Sequence, residues 1–210
     1  MKIEEIIAKA AVIPVLEVAD IETAAPLADA LKAGGLSVIE LTLRTPCAFE
    51  ALAAMKETEP SLIVGMGTIR TPDDIDQAVE HEADFLVTPG VSERLLAALR
   101  EAGTPALPGI ATPGEAMMAA EAGFLAQKFF PAEPAGGVPY LRSLIGPLPD
   151  LKFCPTGNIT PDKAPAYLEL PNVLCVGGSW IATKEMIAKG DWEVITRNAA
   201  RAASLKSRSA

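Results

Sequence analysis

The sequence predicts a (β/α)8 barrel made as one domain over residues 1–210, with a short helix ahead of the first strand. Three observations predict it. Apolar runs of strand length alternate with segments of helical spacing, at a step of roughly 25 residues, and this alternation implies parallel strands joined by right-handed crossovers. The pair Thr-Pro recurs at Thr45-Pro46, Thr71-Pro72, Thr112-Pro113 and Thr160-Pro161, each time after a strand and before a helix. Thr suits a helix cap and Pro the first turn, so these βα loops share one rim. Finally, Ile13–Asp20 carries no glycine, whereas the competing doubly wound sheet usually has a glycine-rich dinucleotide turn after its first strand.

In chain order, Met1–Ala10 mixes acids with apolar residues and lacks the long apolar core of a signal peptide. Strands are predicted at Ala11–Val18, Leu36–Leu43, Leu62–Thr68, Asp84–Pro89, Ala106–Ile110, Leu125–Phe130, Leu151–Pro155 and Val173–Gly177. Helical spacing marks segments such as Ile21–Ala33, Ala48–Glu57, Pro72–Glu82, Ser92–Glu101 and Pro113–Ala122. Gly34-Gly35, Gly103 and Gly123 stand where C-terminal caps belong. The polar tail Arg201–Ala210 is expected to fray.

Half of the 210 residues are hydrophobic, enough for a large core, and the net charge is -9. That balance excludes a general nucleic-acid binder, which needs basic patches to meet phosphates. It leaves room for one small anion at a local positive site. Cys47, Cys154 and Cys175 are far apart and form no CxxC pair, which implies free thiols and a reducing compartment. No apolar run is long enough to span a bilayer, so a cytoplasmic protein is expected, with no membrane partner. The single histidine, His81, excludes a His-based triad and a two-His metal pair. No dense carboxylate motif appears either, and metal-free, cofactor-free chemistry is the expectation.

Lys128 lies in Phe124-Leu-Ala-Gln-Lys-Phe-Phe-Pro-Ala-Glu133, at the end of an apolar strand. A bare ammonium is disfavoured there. Burial and a neighbouring cation both raise the fraction of nucleophilic amine, which suits a Schiff-base lysine. The alternative is a lysine with a buried stem and a head in water. In Val38-Ile-Glu-Leu-Thr-Leu-Arg44, alternation puts Val38, Glu40, Thr42 and Arg44 on one face and Ile39, Leu41 and Leu43 on the other. The apolar face suits the helix layer, so the polar row looks inward, where it is disfavoured unless it serves a site at the C-terminal strand ends. A structural Glu40–Arg44 ion pair is the competing account. Gly65-Met-Gly-Thr68, Thr88-Pro-Gly90 and Leu107-Pro-Gly109 also end strands, and each is open to a reading as turn chemistry alone. So are Cys154-Pro-Thr-Gly-Asn158 and Gly177-Gly-Ser-Trp180, whose loops occupy the place where barrels often hold a phosphate.

Taken together, Glu40-Leu-Thr-Leu-Arg44, Gly65-Met-Gly-Thr68, Thr88-Pro-Gly90, Lys128-Phe-Phe-Pro-Ala-Glu133, Cys154-Pro-Thr-Gly157 and Gly177-Gly-Ser-Trp180 resemble the KDPG/KHG aldolases, in order from Val12 to Trp180. The Lys-Phe-Phe-Pro block and the Glu-x-Thr-x-Arg strand are the specific parts. The resemblance implies a homotrimeric, metal-free barrel. It would cleave 2-dehydro-3-deoxy-6-phosphogluconate (KDPG) to pyruvate and glyceraldehyde 3-phosphate, or 4-hydroxy-2-oxoglutarate (KHG) to pyruvate and glyoxylate. It makes Lys128 the Schiff-base lysine and Glu40 the general acid/base. Arg44 and Thr68 would hold the pyruvate carboxylate, Pro89 and Thr156 would contact substrate, and Gly157, Asn158, Gly178 and Ser179 would take the phosphate. Two residues depart from the family's usual pattern. Asn158 replaces a second glycine, in a turn that Asn tolerates better than most residues. Met66 replaces a small residue and, if alternation holds through the glycines, shares a face with Thr68 and narrows the site floor. Other readings of the same residues are an aldolase for a different 2-keto-3-deoxy acid, such as the phosphogalactonate epimer, a phosphosugar isomerase or epimerase, and a non-catalytic assembly subunit.

Overall fold

The computed structural model describes residues 1–205. The chain runs α1 (Ile3–Ile7), β1 (Val12–Leu16), a 3-10 turn (Ile21–Thr23), α2 (Ala24–Ala33), β2 (Val38–Thr42), α3 (Ala48–Thr58), β3 (Ile63–Gly67), α4 (Pro72–Glu80) and β4 (Phe85–Val87). It continues through α5 (Glu93–Ala102), β5 (Ala106–Leu107), β6 (Gly109–Ile110), α6 (Pro113–Glu121), β7 (Ala126–Phe129), α7 (Gly137–Ser143), β8 (Lys152–Pro155), α8 (Ala164–Leu168), β9 (Val176–Gly178), α9 (Lys184–Lys189) and α10 (Trp192–Ala203). The tail expected to fray from Arg201 is helical through Ala203, and residues 206–210 lie outside the described residues. No described helix is long and apolar enough to cross a membrane.

All strand pairs are parallel. They form a six-stranded sheet, β5-β4-β3-β2-β1-β9, and a three-stranded sheet, β6-β7-β8. The predicted ring of eight continuous strands is thus described as two parallel sheets. The break falls at Pro108, which has no N–H to offer a ladder. Before it Leu107 pairs with Val87, and after it Gly109 pairs with Lys128. Pro108 still accepts a hydrogen bond from Lys128 N at 2.8 Å. At the other side of the small sheet, isolated parallel bridges join Phe153 to Val173 and Thr156 to Gly177.

Both faces of the strands are covered, as parallel sheets require. Ile39 and Leu41 join a large core under the helices, with Leu27, Leu31, Leu52 and Val64. Val38 points the other way, into a smaller core with Ile13, Phe85, Val87, Leu107, Cys154 and Cys175. Helix α1 adds Ile3, Ile6 and Ile7 to that inner core, and each buried isoleucine contributes about 1.5–3 kcal/mol.

The Thr-Pro device works as a cap at two of its four positions. Thr71 and Thr112 each close a capping box at the start of α4 and α6. Thr45 instead donates its hydroxyl to Val18 O at 2.5 Å, and α3 starts after Cys47 without a side-chain cap. Thr160 accepts from Lys163 N and Ala164 N through its carbonyl, and α8 starts after Lys163. In both loops a turn follows Pro before the helix begins.

Candidate active site

Alternation along β2 and β7 sends Glu40 and Lys128 inward from different sheets. Both are buried, at 4% and 5% exposure. The Lys128 ammonium nitrogen Nζ donates to Glu40 Oε1 at 2.9 Å and to Oε2 at 3.3 Å. The ring of Phe130 lies 5.5 Å from Nζ, close enough to favour a cation over its face. The carboxylate has room because Gly67 stands beside it, where a Cβ would fall 2.1 Å from Glu40 Oε1. The competing Glu40–Arg44 ion pair is absent: Glu40 pairs with Lys128, while Arg44 Nη1 lies 4.0 Å from Glu17 Oε2.

Arg44 sits half-exposed beyond the end of β2, and its Nε donates to Thr68 Oγ1 at 3.1 Å. Thr68 has φ +63°, a backbone state that is an outlier for a β-branched residue and marks local strain. Here strict alternation ends. Met66 is fully buried in the large outer core, not on the site floor as expected. In register, Gly65 and Gly67 oppose Glu40 and Thr42, so the two glycines share the inward face and Met66 lies between them on the other. The turned backbone of Thr68 then brings its hydroxyl to Arg44.

A cavity of about 200 Å³ opens above the pair, lined by Arg44, Lys128, Phe130, Thr156, Asn158 and Ser179 among others. Gly157 also lines it. Thr156 is 6% exposed. Asn158 adopts φ +58° after Gly157 at +111°, the left-handed turn that Asn accepts. Thr68, Pro89 and Gly178 do not line this cavity. Thr68 reaches it through Arg44. Pro89 sits in the turn after β4, where Thr88 Oγ1 donates to Gly90 O at 2.7 Å and accepts from Gly109 N at 2.9 Å. Gly178 ends β9 just before Ser179.

Phe130 and Val15 line the cavity without having been singled out from sequence. Phe130 was legible by alternation, two residues on from Lys128. The position of Val15 depends on its pairing with Glu40, which no local pattern announces.

The segment after Lys128 clamps the Thr156 loop. Ala132 N donates to Thr156 O at 2.8 Å and Glu133 N to Gly157 O at 3.2 Å. The Glu133 carboxylate accepts from Tyr167 OH at 2.6 Å and from Lys163. These two bonds, that of Lys163 first, hold its carboxyl below the usual range against a smaller opposing effect of burial. Burial, then Glu133, push the Tyr167 hydroxyl up. A carboxyl lowered by folding stabilises the protein above its unfolded pKa, and that contribution is lost as pH falls through the lowered folded value. Tyr167→Phe is therefore expected to lower stability by about 1–3 kcal/mol at neutral pH. The gap between Glu133→Gln and the parent chain should narrow on acidification below about pH 4, as read from urea midpoints. A constant gap would remove Glu133 ionisation from the clamp.

Cys47, Cys154 and Cys175 are free thiols. The hydrogen-bonded side chain of Cys154, then burial, push the Cys175 thiol well above its ordinary range, with a smaller push from the charge of Glu40. A protonated thiol is a weak nucleophile, so Cys175 is poorly suited to attack a carbonyl.

A sequence profile described as KDPG and KHG aldolase matches residues 3–198. The chain is 43% identical over 199 residues to the KHG/KDPG aldolase of Escherichia coli K12, covering 95% of this chain and 93% of that one. It superposes on the 2-keto-3-deoxy-6-phosphogluconate aldolase of Zymomonas mobilis ATCC 29191 with TM-score 0.96 and 43% identity, covering 100% of both chains. It also superposes on the KDPG aldolase of Legionella pneumophila, solved with pyruvate captured as a covalent carbinolamine intermediate, with TM-score 0.95 and 42% identity, covering 97% of this chain and 99% of that one. With its site geometry, its fold and these similarities in agreement, the chain belongs to the KDPG and KHG aldolase family.

Proposed function

We propose that this protein is a metal-independent Schiff-base aldolase that cleaves KDPG to pyruvate and glyceraldehyde 3-phosphate. The observation that carries the reading is the buried Lys128–Glu40 contact of 2.9 Å beneath a cavity that Arg44 also lines. Glu40 is within reach to accept a proton from Lys128, leaving an amine able to attack the C2 ketone of a 2-keto acid. Glu40 returns that proton to the carbinolamine hydroxyl, which leaves as water, giving an iminium and a carboxylate again free to act as base. Glu40 removes the C4 hydroxyl proton, the C3–C4 bond breaks, and its electron pair flows into the iminium to give an enamine. The aldehyde leaves, the enamine takes a proton at C3, and hydrolysis frees pyruvate and Lys128. A guanidinium binds a carboxylate at two points, which suits Arg44, with Thr68 beside it, to the keto-acid end. Thr156 contacts the hydroxylated part, Pro89 meets the substrate from the turn after β4, and Gly157, Asn158, Gly178 and Ser179 take the phosphate.

Cleavage of 4-hydroxy-2-oxoglutarate is proposed as a second activity of the same site, because the Escherichia coli relative is named for both substrates. The two sheets are read as one closed eight-stranded ring in a single domain, since Pro108 and the Thr156–Gly177 bridge link them on opposite sides. The assembly is read as a cytoplasmic homotrimer, to which exposed Met117, Met118 and Leu125 offer apolar surface. Borohydride reduction in the presence of pyruvate tests the chemistry. A reduced three-carbon adduct should appear on Lys128 by peptide mapping, and an adduct elsewhere, or none, would refute the assignment.

A further inference from the structure

The two groups of the proposed site stand on different sheets, Glu40 on β2 of the six-stranded sheet and Lys128 on β7 of the three-stranded one. Their 2.9 Å contact therefore depends on how the sheets are held together. On the β8–β9 side backbone does this. Phe153 N donates to Asn172 O at 2.8 Å and Leu174 N to Phe153 O at 3.0 Å. On the Pro108 side the ladder weakens. Thr88 N reaches Leu107 O only at 3.4 Å, and Pro108 has no N–H to give. No backbone bridge joins β4 to β6 among the described residues. The Thr88 hydroxyl takes its place, accepting from Gly109 N at 2.9 Å and donating to Gly90 O at 2.7 Å. Thr88 is 1% exposed, so solvent competes little for these bonds.

We propose that Thr88 is a positioning residue, whose hydroxyl docks the start of β6 onto the end of β4 and so sets the distance between Lys128 and Glu40. The inference rests on the aldolase reading and adds to it a residue that acts through others. The path from this hydroxyl to the amine is short. Gly109 pairs in register with Lys128, and Lys128 N donates at 2.8 Å to the carbonyl of Pro108, the residue just before the amide that Thr88 holds.

The junction is also tight. A Cβ at Gly109 would fall 2.4 Å from Thr88 O and 2.6 Å from the carbonyl carbon of Pro89, so only glycine lets the two segments meet. Without the hydroxyl, the buried Gly109 N–H loses its partner, and a buried donor left unpaired favours any movement that lets it find another. The strand that would move carries the pairing partner of Lys128. Misplacing a reacting group by about 1 Å slows a reaction by up to about 100-fold.

Thr88→Val keeps the side-chain shape and removes the hydroxyl. Its kcat for KDPG cleavage should fall about 10–100-fold, with KM within about threefold of the parent chain. Exchange of the pyruvate methyl protons in heavy water, which needs Lys128 and Glu40 together, should slow in step. Thr88→Ser restores the hydroxyl and should return kcat to within about threefold of the parent. Thr196→Val serves as the control for stability alone. It removes a 3.1 Å hydroxyl bond to Ala30 O between α10 and α2, and should lower the urea midpoint while leaving kcat and exchange unchanged. Should Thr88→Val fail to fold, Thr88→Cys takes its place, with a weakly accepting thiol and a kcat expected well below that of Thr88→Ser. The proposal is overturned by a kcat within about twofold of the parent, by a loss that Ser does not restore, or by an equal loss in Thr196→Val. A loss confined to KM would place the effect at the adjoining Pro89 and overturn it too. Borohydride trapping of pyruvate on Lys128 in the parent chain reports separately on the aldolase reading. A normal adduct there beside an unaltered variant kcat rejects only the role of Thr88.

Discussion

Lys128→Met leaves a folded protein whose aldol cleavage falls by ~10⁴-fold or more. The substitution removes the attacking nitrogen and keeps much of the side-chain bulk inside the inner wall. It also strands the carboxylate of Glu40, which is 4% exposed and has Lys128 as its ion-pair partner. Breaking a buried pair from one side destabilises by about 3–5 kcal/mol, whereas replacing both partners with neutral groups of similar volume is often neutral. Lys128→Met with Glu40→Gln should therefore unfold at higher urea than Lys128→Met alone, while both lack activity. That comparison separates a lost nucleophile from a lost fold. Retained cleavage in either variant would end the Schiff-base reading.

Glu40→Gln alone has the second-largest expected effect. The amide keeps a shape that fits beside Gly67 and an oxygen that can accept from Lys128, but it cannot take up a proton. A general base in such a place contributes about 10²–10⁴-fold, so kcat should fall in that range. Pyruvate binding, which we assign to Arg44 and Thr68, should change far less. Exchange of the pyruvate methyl protons in heavy water, which reads protonation of the enamine alone, should slow alongside cleavage. If kcat and exchange both stay at wild-type values, Glu40 is a structural counter-ion and no more.

The site was more legible in the sequence than the geometry of its frame. The inward row of β2 could be read from period-2 alternation because Val38–Thr42 is a regular strand, and Glu40 follows that rule. The same rule misplaced Met66. It assumes extended backbone throughout, and Thr68 at φ +63° is not extended. Pro108 was read as part of one strand, since apolar runs show where a strand lies but not which neighbour each half pairs with. Thr45 and Thr160 share the spelling of Thr71 and Thr112, yet tertiary partners claim the Thr45 hydroxyl and a turn precedes α8. Helices α7, α8 and α9 have seven, five and six residues, too short for a helical period to emerge. The pairing of Glu17 with Lys184 joins residues remote in sequence, and nothing local to either one signals it.

The floor beneath the proposed substrate site is full. At Gly65 a Cβ would fall 2.3 Å from the Phe85 ring, as at Gly67 it would strike Glu40. Neither position can gain a methyl group without displacing an aromatic ring or that carboxylate. Descendants of this chain that come to accept other acids are therefore expected to vary along the upper edge, at exposed side chains such as Asn158. On the proposed mechanism, chemistry and selectivity can then drift apart, because Lys128 and Glu40 are walled in and the side chains of the rim are not.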